Sequence, residues 1–174
     1  NGYTISSFDG RTAFSNRVIL ATGGMAAPDT GSCGSGYPLC KMLGHTVTKT
    51  RPSLVQIKTR GTFTKSLKGI KTDALVSIGN KKYKGELLFT EYGISGPPVF
   101  SLSSYLSEIS SDFITIDFMP EYSKDEVLSL LKKRTSLSVN LENYFVGMLN
   151  KRLGMALLKA SGISPLSRPI DATI

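Results

Sequence analysis

The fold is decided by residues 19–37, which read Ile-Leu-Ala-Thr-Gly-Gly-Met-Ala-Ala-Pro-Asp-Thr-Gly-Ser-Cys-Gly-Ser-Gly-Tyr. The segment 17–22, which overlaps the start of this stretch, is too short for a helix, and its apolar residues do not alternate with polar ones. This pattern predicts a strand buried on both faces, as in a parallel sheet. A loop with further glycines then leads into a short helix after Gly36. Glycines at this density let backbone amides approach a ligand, and a helix N-terminus adds partial positive charge. The loop suits electron-rich or anionic atoms, although a structural turn explains it at least as well.

A β-hairpin is expected before this strand. Alternating residues flank the dipeptide Asp9-Gly10, which is the signal for a two-residue hairpin turn. No βαβ unit follows, so the sheet that the 17–22 strand should join is not encoded in the chain. We therefore expect residues 1–44 to be part of a larger α/β domain, and the start without Met to mark an excised piece. The unpartnered strand is expected to pair with another chain or to join the sheet of the next region.

Residues 45–122 are predicted to form a small antiparallel, barrel-like subdomain. We expect its strands at 53–58, 74–78, 86–90 and 112–118. Gly79 stands first in a two-residue loop, which favours a type II′ turn between antiparallel strands. Pro97 is placed for the first turn of a helix, and Ser95 is expected to cap that helix rather than to face a ligand.

Residues 123–174 are predicted to form a helical subdomain. Ser123-Lys124-Asp125-Glu126 is a capping box that opens the first helix. Further helices are expected at 141–149 after an Asn140 cap, and at 153–160 before Gly162 and Pro165. The fold class that we predict is α+β: a barrel-like β subdomain and a helical subdomain, with a hairpin and a strand from an α/β domain.

The positive charge is concentrated between residues 41 and 84. The whole chain has 21 Lys and Arg against 13 acids, and this segment has 11 Lys and Arg against one acid, Asp73. Such a surface could attract nucleic acid or another polyanion. Phe63 and Tyr83 are the only aromatic residues among these charges, which leaves few platforms for base stacking. We therefore favour lysines that face water along the strands, and expect no nucleic-acid partner.

Cys33 and Cys40 cannot make a disulfide framework, and with the single His45 they cannot complete a tetrahedral zinc site. We expect both thiols to be buried in a reducing cytoplasm; the alternative places Cys33 beside a redox centre. His45 is interpreted as a structural residue at a helix end. No apolar run of about 18 residues offers a membrane span.

Six blocks of sequence resemble, in the same order, the flavoproteins grouped with aminoacetone oxidase and the bile-acid-reducing BaiN proteins. The blocks are Ala-Thr-Gly-Gly at 21–24, the glycine loop at 30–37, Leu-Gly-His at 43–45, Pro-Ser-Leu-Val at 52–55, Gly-Glu-Leu-Leu-Phe-Thr at 85–90 and Gly-Ile-Ser-Gly-Pro at 93–97. This resemblance implies an FAD-dependent oxidoreductase in which residues 1–44 belong to the flavin domain. The insert from residue 45 onward would cover the flavin and help to form the substrate cavity.

The resemblance also implies which residues bind. Contacts to FAD would come from Thr22, Gly23, Gly24, Gly31, Ser32, Gly34 and Gly36. The substrate side would include Cys33, Tyr37, Ser95 and Gly96. Ser35 stands where related flavoproteins commonly carry an acid, so a role for that acid does not carry over.

In the family that this chain resembles, the pyrophosphate of FAD rests on an N-terminal dinucleotide fingerprint, which this chain does not contain. We therefore expect the chain alone to bind FAD weakly or not at all, and to be inactive. Its partners would be the remainder of its own flavin domain and a small-molecule substrate, with NAD(P)H as a candidate reductant. Two alternatives stay open. One is a basic β-rich module that binds a polyanion, and the other is an insert that mediates subunit contacts.

Overall fold

The computed structural model describes residues 2–109, 111–137 and 139–163, and the chain divides into two compact units, 1–50 and 51–174. The fold is α+β, with two antiparallel sheets and short helices. Within the described ranges, no helix is both long and apolar enough to cross a membrane.

The first unit begins with the predicted hairpin. Strands β1 (Tyr3–Ser6) and β2 (Thr12–Ser15) pair antiparallel. The prediction of a two-residue turn is wrong, because the N–H of Ser7 donates to the carbonyl of Arg11 (2.8 Å) and leaves three residues in the loop. The Asp9 carboxylate accepts from the N–H of Arg11 (3.2 Å), which fixes a local turn, and only Gly10 takes a positive φ (83°). The same hydrogen bond lowers the pKa of Asp9.

Residues 17–22 are not a strand. Ile19 is 91% exposed and Leu20 is 36% exposed, so the predicted burial on both faces is also wrong. The prediction that this segment joins the second sheet fails as well, since all five strands of that sheet lie after residue 50. An extended segment becomes a strand only when a neighbour pairs with its N–H and C=O groups, and none does so among the described residues.

Helix α1 (Gly36–Met42) follows the glycine loop, as predicted. Its end forms a Schellman motif: the N–H of Gly44 donates to the carbonyl of Lys41 (3.0 Å), and the N–H of His45 donates to that of Cys40 (3.0 Å). Gly44 adopts the left-handed φ (87°) that this motif requires. The backbone of the Leu-Gly-His block therefore ends a helix, and the His45 side chain is exposed.

The second unit contains a five-stranded antiparallel sheet in the order β3-β6-β5-β4-β7. Its strands are β3 (Ile57–Lys58), β4 (Lys71–Ile78), β5 (Lys81–Phe89), β6 (Gly93–Ser95) and β7 (Thr115–Asp117). Two predicted strands, 53–58 and 112–118, are much shorter here, and β6 was not among the predicted strands. The β4–β5 turn has a positive φ at Gly79 (53°) and not at Asn80, as the type II′ prediction requires.

The core lies on the inner face of this sheet. Ala74, Val76 and Ile78 of β4 alternate with more exposed neighbours and are at most 2% exposed. The same cluster includes Leu87 and Phe89 of β5, Val99 and Leu102 of α3 (Pro97–Ser103), and Leu153. Residues of β3 and around β7 line a cavity of about 750 Å³, which also borders the short helix α2 (Phe63–Ser66).

Two helices follow the sheet. Helix α4 (Lys124–Ser136) begins with the predicted capping box at Ser123, and α5 (Lys151–Ala160) ends before Gly162, as expected. The predicted helix 141–149 is instead a 3-10 turn, Leu141–Asn143, followed by further turns, with the predicted Asn140 cap in place. The guanidinium of Arg134 in α4 donates hydrogen bonds to the carbonyls of Tyr144 (3.0 Å) and Val146. These carbonyls are therefore engaged by a side chain and not by the backbone N–H groups of a helix. Pro165 lies outside the described residues.

Candidate functional site

The glycine loop folds back on the Thr22-Gly23-Gly24 segment. A side chain at Gly36 would overlap the Thr22 hydroxyl, and one at Gly23 would overlap the hydroxyl of Ser32. At Gly24 the nearest atom to such a Cβ is the Tyr37 hydroxyl, at 3.1 Å. The structure thus brings together most of the residues for which flavin contacts were predicted.

Gly34 is a second tightly packed position in this loop. A Cβ there would lie 2.6 Å from Cγ of Met25 and 3.0 Å from the Tyr37 ring. Sequence reasoning missed Met25, because nothing in the pattern showed that the loop would close over it. Gly31 differs, since a Cβ at Gly31 would meet no atom within 4 Å. Internal packing therefore explains the small residue at 34, whereas Gly31 faces open space.

The loop presents a row of unused backbone donors. The N–H groups of Gly31 and Tyr37 donate to carbonyls at 2.9 and 3.0 Å, but within the described ranges those of residues 32–36 donate to no protein acceptor. Two of these residues, Gly34 and Gly36, are buried. Unpaired N–H groups that precede and open a helix fit an electron-rich or anionic ligand atom. The residues present thus fit a carbonyl or phosphate group of a flavin.

The prediction that both cysteines are buried is wrong. Cys33 is exposed within the loop, and Cys40 in α1 is only partly buried. Because alternate loop residues point outward around the buried Gly34, the thiol at position 33 faces solvent. Cys40 and His45 line a small cavity of about 330 Å³ within the first unit, beside β1.

The predicted capping role of Ser95 is also wrong. Ser95 ends β6 and pairs with Leu88, and Gly96 is the residue that precedes α3. Gly96 has φ 107°, and a Cβ there would overlap the carbonyl oxygen of Glu86. The close passage of β6 against β5 thus requires glycine at this position, and Pro97 begins the helix as predicted.

The concentration of charge between residues 41 and 84 is partly balanced in the fold. Three of its lysines pair with acids that lie later in the chain: Lys68 with Glu91, Lys71 with Glu86, and Lys84 with Glu121. The Lys68 pair is 2.7 Å long, and its hydrogen bond raises the pKa of Lys68 and lowers that of Glu91. The sheet face is therefore less positive than the sequence window indicates.

A second cationic surface was not predicted from the sequence. It is an open groove of about 900 Å³, called the basic groove here. Its walls include Ser66 of α2 and Asn150, Lys151, Arg152, Met155 and Lys159 of the α5 region. No acid is among its lining residues. The signal was present in the sequence, since Arg152, Met155 and Lys159 share a helix face at spacings of three and four residues.

Comparison with known proteins identifies the second unit. Residues 51–172 match the family model of the HI0933-like protein barrel and H2TH domain. The chain belongs to the HI0933-like family. The barrel part of this HI0933-like domain agrees with the five-stranded sheet, and the H2TH part agrees with α4 and α5 and the turns between them.

Three relatives of this HI0933-like chain are named for two different enzyme activities. The 3-dehydro-bile acid delta(4,6)-reductase of Clostridium scindens is 34% identical over 173 residues, which cover 93% of this chain and 42% of the relative. Ribosomal RNA dihydrouridine synthases of Haemophilus influenzae and Escherichia coli are 32% and 27% identical, and cover 78% and 95% of this chain. The chain spans 34–42% of the length of these relatives.

Proposed function

We propose that this chain is part of an FAD-dependent reductase that acts on a carbon–carbon double bond conjugated to a carbonyl group. The observation that carries the proposal is the row of unpaired N–H groups at residues 32–36, with Gly34 and Gly36 buried. Thr22, Gly23 and Gly24 lie against this loop, which supports the proposal that these residues and the loop bind the flavin together. Bound FAD would supply the hydride chemistry, and the protein its binding and orientation.

The names of the relatives support the type of bond. A 3-oxo steroid with double bonds at positions 4 and 6 is a conjugated dienone, and the uracil ring of uridine has a double bond conjugated to its C4 carbonyl. Reduction of the 4,5 double bond of such a steroid, or of the 5,6 double bond of uracil, would add a hydride to the carbon remote from the carbonyl and a proton to the carbon beside it. A conjugated carbonyl is therefore the substrate feature that we propose for this chain, with NAD(P)H as the source of the electrons.

The proposed flavin contacts are Thr22, Gly23, Gly24 and the loop residues Gly31, Ser32, Gly34 and Gly36. Cys33 is exposed and Tyr37 packs beside Gly24 and Gly34, so both fit the proposed substrate side of the loop. We propose that the second unit covers the flavin and shapes the substrate cavity.

The test uses the intact protein from which this chain comes. We expect it to carry flavin and to oxidise NAD(P)H when 2-cyclohexenone is added without oxygen, but not when cyclohexene is added, since that ring lacks the carbonyl. Protein without flavin, or equal rates with the two rings, would contradict the proposal. For this chain alone we expect no sub-micromolar affinity for FAD in a fluorescence titration.

A further inference from the structure

The basic groove carries positive charge that its own walls do not balance. Lys151, Arg152 and Lys159 line it, together with Ser66 and Asn150 but no acid. Lys151 lies 3.8 Å from a carboxylate oxygen of Glu142. Lys159 has no ion pair in the part of the chain that the structure describes, and Arg152 donates to the carbonyl of Ser66 (3.0 Å), which holds its guanidinium at the groove edge. Within the described ranges, Arg152 and Lys159 are therefore the groove cations without an ion pair.

The floor of the groove is apolar. Met155 and Ala156 lie between Arg152 and Lys159 on the same face of α5. Ile163 borders the groove beyond the end of the helix. Arg152 and Lys159 are seven residues apart, which is about 10 Å along a helix at 1.5 Å per residue. Cations on both sides of an apolar floor suit a nucleic acid strand, whose phosphates would meet the cations and one of whose bases would meet the floor.

The lysines on and beside the sheet offer a weaker surface for a nucleic acid. There Lys68 and Lys71 are engaged by carboxylates at 2.7 and 2.8 Å, so contact with a phosphate would first have to break an ion pair. The expectation against nucleic acid rested on the segment 41–84, and the basic groove lies mostly outside that segment.

We propose that the basic groove binds a single-stranded segment of RNA, with phosphates against Arg152, Lys159 and Lys151 and a base against Met155. The proposal rests on the proposed function and deepens it, because it assigns the conjugated carbonyl to a uracil ring within RNA. Two relatives are named for ribosomal RNA, and the charge of the groove complements a phosphate backbone. An acidic polypeptide, or residues 164–174 of this chain, could occupy the groove instead, and the experiment separates these cases from RNA.

The test measures the binding of a fluorescein-labelled, uridine-rich RNA of about 20 nucleotides to the intact protein by anisotropy, at several salt concentrations. The variant is the double substitution Arg152→Gln and Lys159→Gln. Its matched control is Lys82→Gln with Lys124→Gln, which removes the same charge from exposed lysines outside the groove. Each phosphate contact on a single strand contributes about 0.7 to the slope of log affinity against log salt. The groove variant should therefore lose about 1.4 from the slope and bind about 25-fold more weakly at 0.1 M salt.

The control should lose less than about threefold, because charges away from the RNA are screened within about 10 Å. Equal losses in the two double variants, no loss in the groove variant, or no binding of the RNA by the wild type would each overturn the proposal. If the groove is filled by a polypeptide, RNA affinity stays unchanged in the groove variant, which also overturns it. A melting temperature within about 2 °C of the wild type checks the fold, and Lys159→Gln alone replaces the double variant if that limit is exceeded.

Reduction of 2-cyclohexenone separates this proposal from the one on which it rests. The small ring needs no RNA contact, so the groove variant should reduce it at the wild-type rate. A protein that reduces 2-cyclohexenone but binds RNA equally well with and without the groove cations disproves the groove assignment and leaves the reductase proposal standing. A wild-type protein that carries no flavin and reduces no enone disproves the reductase proposal itself.

Discussion

Substitution of Gly96 by alanine should destabilise the second unit. The position has φ 107°, where an L-residue with a side chain costs about 1–2 kcal/mol. The added Cβ would also overlap the carbonyl oxygen of Glu86 and lie 3.4 Å from the nitrogen of Leu88, so β5 or β6 must shift. Overpacking of this kind costs about 1–3 kcal/mol more. The expected loss is therefore roughly 2–5 kcal/mol.

Thermal unfolding of the intact protein, followed by circular dichroism, measures this loss. At about 2–4 °C per kcal/mol, the melting temperature should fall by roughly 4–20 °C. Ser95→Ala is the control in the same motif, since the Ser95 hydroxyl makes no hydrogen bond within the described ranges, and it should change the melting temperature by less than about 2 °C.

The result also separates a structural glycine from a substrate-binding one. If Gly96→Ala melts within about 2 °C of the wild type, the packing argument is refuted. A variant that keeps its stability but loses the reduction of 2-cyclohexenone would instead assign Gly96 to the substrate side.

Three further predictions concern stability. The Glu126 carboxylate accepts from the N–H of Ser123 (2.7 Å) and from its hydroxyl (2.8 Å), which lowers the pKa of Glu126. The stabilisation of the folded state by this carboxylate is therefore present above the ordinary carboxyl pKa and is lost as the pH falls through the lowered pKa. The melting temperatures of Glu126→Ala and the wild type should therefore converge in acid. Leu153→Ala removes a side chain that is 0% exposed and should cost about 2–5 kcal/mol in urea unfolding, whereas Leu137→Ala, 69% exposed, should cost under about 0.5 kcal/mol. Lys71→Ala breaks an exposed ion pair and should shift the melting temperature by less than about 2 °C in a thermal melt, because such pairs contribute little.

The features that were predicted from the sequence are local ones. The capping box at Ser123 is decided within four residues, as is the Gly79-Asn80 turn. Both depend on hydrogen bonds or dihedral angles that the quoted residues supply themselves. The family resemblance rested on short contiguous blocks in a fixed order, and the family match confirms it.

The features that were missed depend on distant partners. Residues 17–22 have the composition of a buried strand, but a strand forms only with neighbours. The helix predicted at 141–149 gives way to turns because Arg134, on another helix, takes two of its carbonyls. The balance of charge on the sheet depends on acids such as Glu121, which a window of sequence between residues 41 and 84 does not contain.

The candidate site was partly predictable. The glycines at 34 and 36 marked the loop, and the packing of Tyr37 against Gly24 follows from its place at the start of α1. Which N–H groups stay unpaired depends on how the loop closes, and the sequence does not specify this. The spacing of Arg152, Met155 and Lys159 marked one wall of the basic groove, but the sequence does not show that α2 adds Ser66, about 85 positions earlier, to the same groove.

The exposure of the first unit has a consequence for limited proteolysis. Among its described residues only Gly34 and Gly36 are buried, and neither has a side chain to remove from water. Ordering a residue costs about 1–2 kcal/mol of backbone entropy, which side-chain burial must offset. The unit that contains Leu87, Val99 and Leu153 has such burial. A dilute protease should therefore cut this chain first before residue 50 and leave a resistant core that begins close to Arg51.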